Sequence, residues 1–172
     1  MKKIVAMIML SVMVTLSVAG CGAKAPAPEE SAEAVSEIVS VNEISASMYT
    51  ENVFQKLINM EIGTAGSSLK AAQIAEEILS FAASREIWAV EESARKAAFS
   101  EAWESLSDEE KVTVKDNFQD IAGLVDEAFG DYEAAKGSFE DAGVGAEMEE
   151  LVKSEEAQKS WKALCALLAE VE

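Results

Sequence analysis

The chain is predicted to be all-α, a compact bundle of four to six helices behind a disordered N-terminal tether. Three observations carry that expectation. Both prolines, Pro26 and Pro28, lie near the N-terminus, so no later ring interrupts a helix. Alanine, the strongest helix former, is abundant beyond them. Apolar residues recur at three-and-four spacing, and no alternating apolar–polar run marks a half-buried strand. There is no internal repeat.

The elements follow in order. A first helix is expected over residues 44–62, with Phe54, Leu57 and Ile58 inward and Gly63-Thr64-Ala65-Gly66 ending it. Ser67 or Ser68 caps a second, whose stripe is Ala71, Ile74, Ala75, Ile78 and Ala82. Without a break this pattern would continue to Leu106, about 40 residues and roughly 60 Å. A break near Ala83-Ser84 is therefore expected, with Ser84 capping the next helix. That helix, residues 85–106, carries Ile87, Val90, Ala94 and Ala98 on one side and Trp88, Phe99, Trp103 and Leu106 on the other. Two apolar faces predict a central position. Glu91–Arg95 and Glu92–Lys96 are spaced as favourable i,i+4 pairs. Ser107-Asp108-Glu109-Glu110 reads as a capping box, opening a helix with Val114, Phe118, Ile121, Val125 and Phe129 inward and Gly130 at its end. A shorter helix is expected over residues 131–139, and Gly137, Gly143 and Gly145 mark the stretch expected to be least regular. A last helix starts at Glu147 or Ser154 and ends near Val171, with Ala157, Trp161, Leu164 and Leu168 inward.

Residues 1–20 have a different character. Lys2 and Lys3 precede an apolar run, Ile4 to Leu16, broken only by Ser11 and Thr15, and Val18-Ala19-Gly20 leads into Cys21. A basic start, a short apolar stretch and small residues before a cut form a secretory signal peptide. The run is short for a membrane-spanning helix, which needs about 20 apolar residues. The small-small-Cys ending resembles the lipobox of bacterial membrane lipoproteins. That resemblance covers residues 1–21 only. It implies that Cys21 carries a diacylglyceryl group on its thiol, with palmitate-type chains, and becomes the mature N-terminus. It also implies a lipid-anchored protein on the extracytoplasmic side of a bacterial cell membrane. Residues 21–41 are then the lipidated cysteine and a tether of Ala, Pro and Glu, about 25 Å long on average if flexible. The acidic helical domain occupies residues 42–172.

Composition narrows the partners. The chain has 32 acidic and 14 basic residues, and losing Lys2 and Lys3 takes its net charge from −18 to −20. Such a charge argues against nucleic acid, whose phosphates require Lys and Arg, and against a domain lying flat on anionic lipid. Histidine, the commonest general base and zinc ligand, is missing from the chain. With Cys21 lipidated, Cys165 is the only other thiol, so no internal disulfide is expected.

Four groups invite a functional reading. Cys165 sits beside the Trp161, Leu164 and Leu168 stripe and has no histidine to activate it, so an inert thiol is expected. Asp116, Asp120 and Glu127 share the face opposite Phe118; they could bind a hard cation or act as an acid pair, but a solvated face explains them as well. Residues 140–150 mix acids and glycines without the alternating ligands of an EF-hand and read as an acidic surface loop. Trp88, Trp103 and Trp161 could line a ligand groove, though aromatics at helical spacing are usually core.

No catalytic, cofactor-binding or metal-binding residue is nominated, and no cofactor is expected. The favoured function is a lipid-anchored extracytoplasmic interaction or ligand-binding module, with an envelope protein or a small ligand as partner. The alternatives are a cell-wall hydrolase working through carboxylates, recognisable by a cleft and a half-buried acid of raised pKa, and a purely structural spacer lipoprotein.

Overall fold

The structure, a computed structural model, describes residues 44–60 and 67–171. The expected leader (1–20), Cys21 and the expected tether (21–41) lie outside the described residues, as does the turn expected at residues 63–66. Among the described residues there are seven helices, one 3-10 turn and no strand. The all-α architecture expected from periodicity is therefore present, more finely divided than four to six helices. None of these helices is long and apolar enough to cross a membrane.

Helix α1 is built from Ala46–Tyr49, a π turn Thr50–Phe54 and Gln55–Ile58. In the π turn the Gln55 N–H reaches back to the Thr50 carbonyl. The Thr50 hydroxyl donates to the Ala46 carbonyl at 3.1 Å and the Asn52 amide to the Met48 carbonyl at 3.0 Å. Side-chain donors of this kind compete with the backbone ladder, and here they sit where it widens. Val53, Phe54 and Leu57 are buried from this helix.

Helix α2, Ser67–Ser84, is the centre of the molecule. Its expected stripe of Ala71, Ile74, Ala75, Ile78 and Ala82 is buried, joined by Ala72, Leu79 and Phe81. It packs against the π turn of α1 and against α4 (Asp108–Gly130), α5 (Tyr132–Asp141), α6 (Gly145–Lys153) and α7 (Glu155–Ala169). So many small residues let several neighbours approach one helix closely.

The segment expected to be central is peripheral instead. Ser84 stays inside α2, its hydroxyl donating to the Phe81 carbonyl at 3.0 Å, and caps nothing downstream. Glu86 turns the chain with a left-handed φ of 45°, and Ile87–Ala89 forms the 3-10 turn, which packs on α7. Helix α3, Glu92–Glu104, starts only after Glu91, whose carboxylate accepts the Ala94 N–H at 3.1 Å. The Arg95 guanidinium donates to the Ile87 and Trp88 carbonyls at 3.0 and 3.1 Å. That use of Arg95 explains why the Glu91–Arg95 pair does not form. Lys96 does pair with Glu92 at 2.9 Å, and also with Glu170 at 2.7 Å. Each of the two expected apolar faces is incomplete, since Ala94 of the first and Trp88 of the second are exposed. Phe99 and Trp103 instead dock α3 on α1: Phe99 meets Tyr49 and Phe54 edge-on at 5.2 and 5.3 Å, and Trp103 meets Phe54 at 5.8 Å.

The remaining elements follow their local signals. Ser107 and Glu110 form the reciprocal capping box, and Val114, Phe118, Ile121 and Val125 of α4 are buried. Residues 140–150 are not a loop. The Gly143 N–H bonds the Glu140 carbonyl at 3.0 Å and the Val144 N–H the Phe139 carbonyl at 2.9 Å, a Schellman turn that ends α5 and lets α6 begin at Gly145. Both starts proposed for the last helix are close to real ones, because the C-terminal region holds two helices. Ser154 caps α7, accepting the Ala157 N–H at 3.1 Å.

Candidate functional site

The apolar stripes of α1 and α2 face the core, and the flank of each stripe is polar. On α2, residues 70, 73, 74 and 77 are spaced i, i+3, i+4, i+7 and so share one side. On α1 the corresponding row is Glu51, Gln55 and Asn59. In a regular α-helix residues eight apart fall about 80° out of line. A π turn takes in an extra residue, which brings Glu51 closer to alignment with Asn59.

The two rows enclose an open cleft of about 340 Å³, lined by Glu51, Gln55, Lys56, Asn59, Lys70, Gln73, Ile74 and Glu77. Ile74 is buried and forms an apolar floor, while most of the polar groups are exposed along the rim. Lys56 is ion-paired with Glu77 and so ties one wall to the other. Gln73 donates from Nε2 to the Ala142 carbonyl at 2.9 Å, which orients its amide against the Schellman turn. Among the described residues, Glu51 and Lys70 form no ion pair.

Beside this cleft, half-buried Glu76 has its carboxyl pushed above the ordinary carboxylate range. Burial is the main cause, with Glu77 and Glu147 adding repulsion and Lys56 opposing them. Its own side chain is not part of the cleft lining.

The groups singled out from sequence lie elsewhere. Trp161 is buried against Phe118 at 5.5 Å and donates its indole N–H to Asp126 at 3.0 Å. Trp103 is part of the α1–α3 contact, with the Lys115 ammonium 5.7 Å from its ring centre. Trp88 is 38% exposed beneath Lys159, which lies 4.9 Å from its ring. Three rings with three separate sets of partners make no common groove. Cys165 is half-buried, and burial followed by the nearby Asp126 charge pushes its thiol up to about 12, which leaves almost no thiolate at neutral pH. Asp116, Asp120 and Glu127 are exposed, and no group of three His, Cys, Asp or Glu side chains among the described residues is arranged to hold a metal ion.

None of the cleft's polar residues was singled out from sequence. Their spacing was visible on each helix, but polar residues in helical register usually mean only a solvated face. Comparison with known protein families, curated proteins and solved structures returns no significant match.

Proposed function

We propose that the chain is a lipid-anchored, extracytoplasmic binding module of a bacterial cell membrane. In this reading residues 1–20 are removed, Cys21 carries the lipid, residues 21–41 are the tether, and the helical domain presents the α1–α2 cleft to a ligand. Two independent features support it: the small-small-Cys ending of an apolar leader, and a polar cleft on a rigid support. The cleft is the observation that carries the binding half of the proposal. Its walls belong to helices anchored by fully buried Phe54, Leu57, Ile78 and Leu79, so the backbone that carries its polar groups is fixed before a ligand arrives.

The carboxylate hydrolase keeps one supporting observation, the raised and half-buried carboxyl of Glu76. A general acid must reach the bond it protonates, and Glu76 is not among the residues that line the cleft. Binding is therefore the better reading.

The anchor is tested by Cys21→Ala, which is expected to move the protein from the membrane fraction to the soluble fraction, or to block its maturation. Unchanged membrane retention and processing would remove the lipid anchor from the proposal. The cleft is tested by nuclear magnetic resonance of the labelled protein with a small-molecule extract of the cell envelope. Shifts gathered on Glu51, Gln55, Asn59, Lys70 and Gln73 are expected; shifts gathered elsewhere would move the site.

A further inference from the structure

We infer that the α1–α2 cleft takes a small zwitterion with a peptide group, a dipeptide with free termini; this rests on the binding reading above and names its ligand class. The charges lead to that class. Lys56 and Glu77 neutralise each other across the cleft. That leaves Glu51 on α1 and Lys70 on α2, one on each wall, without an ion pair among the described residues. A carboxylate accepts hydrogen bonds only and an ammonium donates only. One ligand with an ammonium and a carboxylate answers both, whereas a singly charged ligand leaves one of them unanswered.

The neutral lining points the same way. Gln55, Asn59 and Gln73 each carry a donor and an acceptor side by side, which is also the pattern of a peptide group. With Nε2 of Gln73 committed to the Ala142 carbonyl, its Oε1 is left as an acceptor. Ile74 offers a small apolar floor suited to a short aliphatic side chain. No aromatic ring is among the lining residues, so a sugar or a nucleobase would lack the flat surface on which such rings stack. A volume of about 340 Å³ lies at the small end of ligand pockets, which run from about 300 to 1,000 Å³.

The test is calorimetric titration of the protein purified from its membrane, in detergent micelles, with Ala-Ala, N-acetyl-Ala-Ala, Ala-Ala-amide and a neutral disaccharide. Ala-Ala is expected to bind, and blocking either terminus to weaken binding by about tenfold, as for one charge-assisted hydrogen bond. Glu51→Gln should abolish the penalty of acetylation and Lys70→Gln the penalty of amidation, each leaving the other penalty intact. Both residues are exposed, so neither change threatens folding. Equal binding of the blocked and free dipeptides, or no binding of any dipeptide, would overturn the zwitterion. Disaccharide binding with resonance shifts on cleft residues would overturn it while preserving the binding module. If neither the four probes nor the envelope extract perturbs the cleft, both proposals fall.

Discussion

Asn117 is a polar residue on the buried stripe of α4, and its position is a response to an unfinished helix end. The last carbonyls of any helix lack intrahelical partners. Asn117 Nδ2 donates to the Leu57 carbonyl at 2.7 Å and to the Met60 carbonyl at 3.2 Å, closing the C-terminal end of α1 from a different helix. Asn117→Ala is expected to lower unfolding stability by about 1–2 kcal/mol, because it removes two buried hydrogen bonds and takes this donor from the Met60 carbonyl, while the Leu57 carbonyl keeps the Met60 N–H. Urea denaturation checks this, and a loss below about 0.5 kcal/mol would mean that water replaces the amide without penalty. Glu76 makes a prediction with the opposite sign. Burial first, then Glu77 and Glu147, raise its carboxyl, so the folded state holds this proton to higher pH than the unfolded chain does. Its ionisation therefore costs stability as pH rises through that window, and the cost is absent below the unfolded carboxylate range. Glu76→Gln is expected to raise the melting temperature slightly at pH 7 and to leave it unchanged near about pH 3. An equal gain at both pH values would assign the effect to packing instead of charge.

At the scale of the element, the helix ends follow local chemistry, and two glycines of α5 and its turn separate the roles that glycine plays. Gly143 has a φ of 78° in the Schellman turn, where a side chain is strained whatever the space around it. Gly137 lies inside α5 with nothing within 4 Å of where a Cβ would be, so it merely weakens the helix. Gly143→Ala is expected to destabilise by about 1 kcal/mol and Gly137→Ala to stabilise by about 0.5–1 kcal/mol. Thermal melts of the two variants check the pair, and a shared sign would contradict the assignment of Gly143 as the obligatory left-handed residue. The π turn of α1 is an element feature of another kind. The donors that accompany it, Thr50 and Asn52, were present in the sequence. Such residues occur in many regular helices as well, so their presence alone could not announce a widened turn.

For the whole molecule, charge and packing oppose each other. A net charge of −18 for the full chain, or −20 under the proposed removal of residues 1–20, repels itself in the folded state. Raising ionic strength from about 0.01 M to 0.15 M, which shortens screening from roughly 30 Å to 8 Å, is expected to raise the melting temperature. No change would mean that the six ion pairs among the described residues and the spacing of the acids already neutralise the repulsion. Several parts of the fold could be read from the sequence alone. The all-α class, the buried stripe of α2, the capping box at Ser107 and the inward set of α7 all follow from interactions within one turn, which a local pattern encodes directly. The use of Arg95 to hold the 3-10 turn was not legible, and neither was the peripheral position of α3, because both depend on what the 3-10 turn and α1 offer as partners. The cleft belongs to this second group. Each polar row is written in its own helix, but a row becomes a wall only when core packing sets another opposite it. Helix periodicity determined which residues lie on a face; burial of the apolar stripes, summed over the whole chain, decided which faces meet.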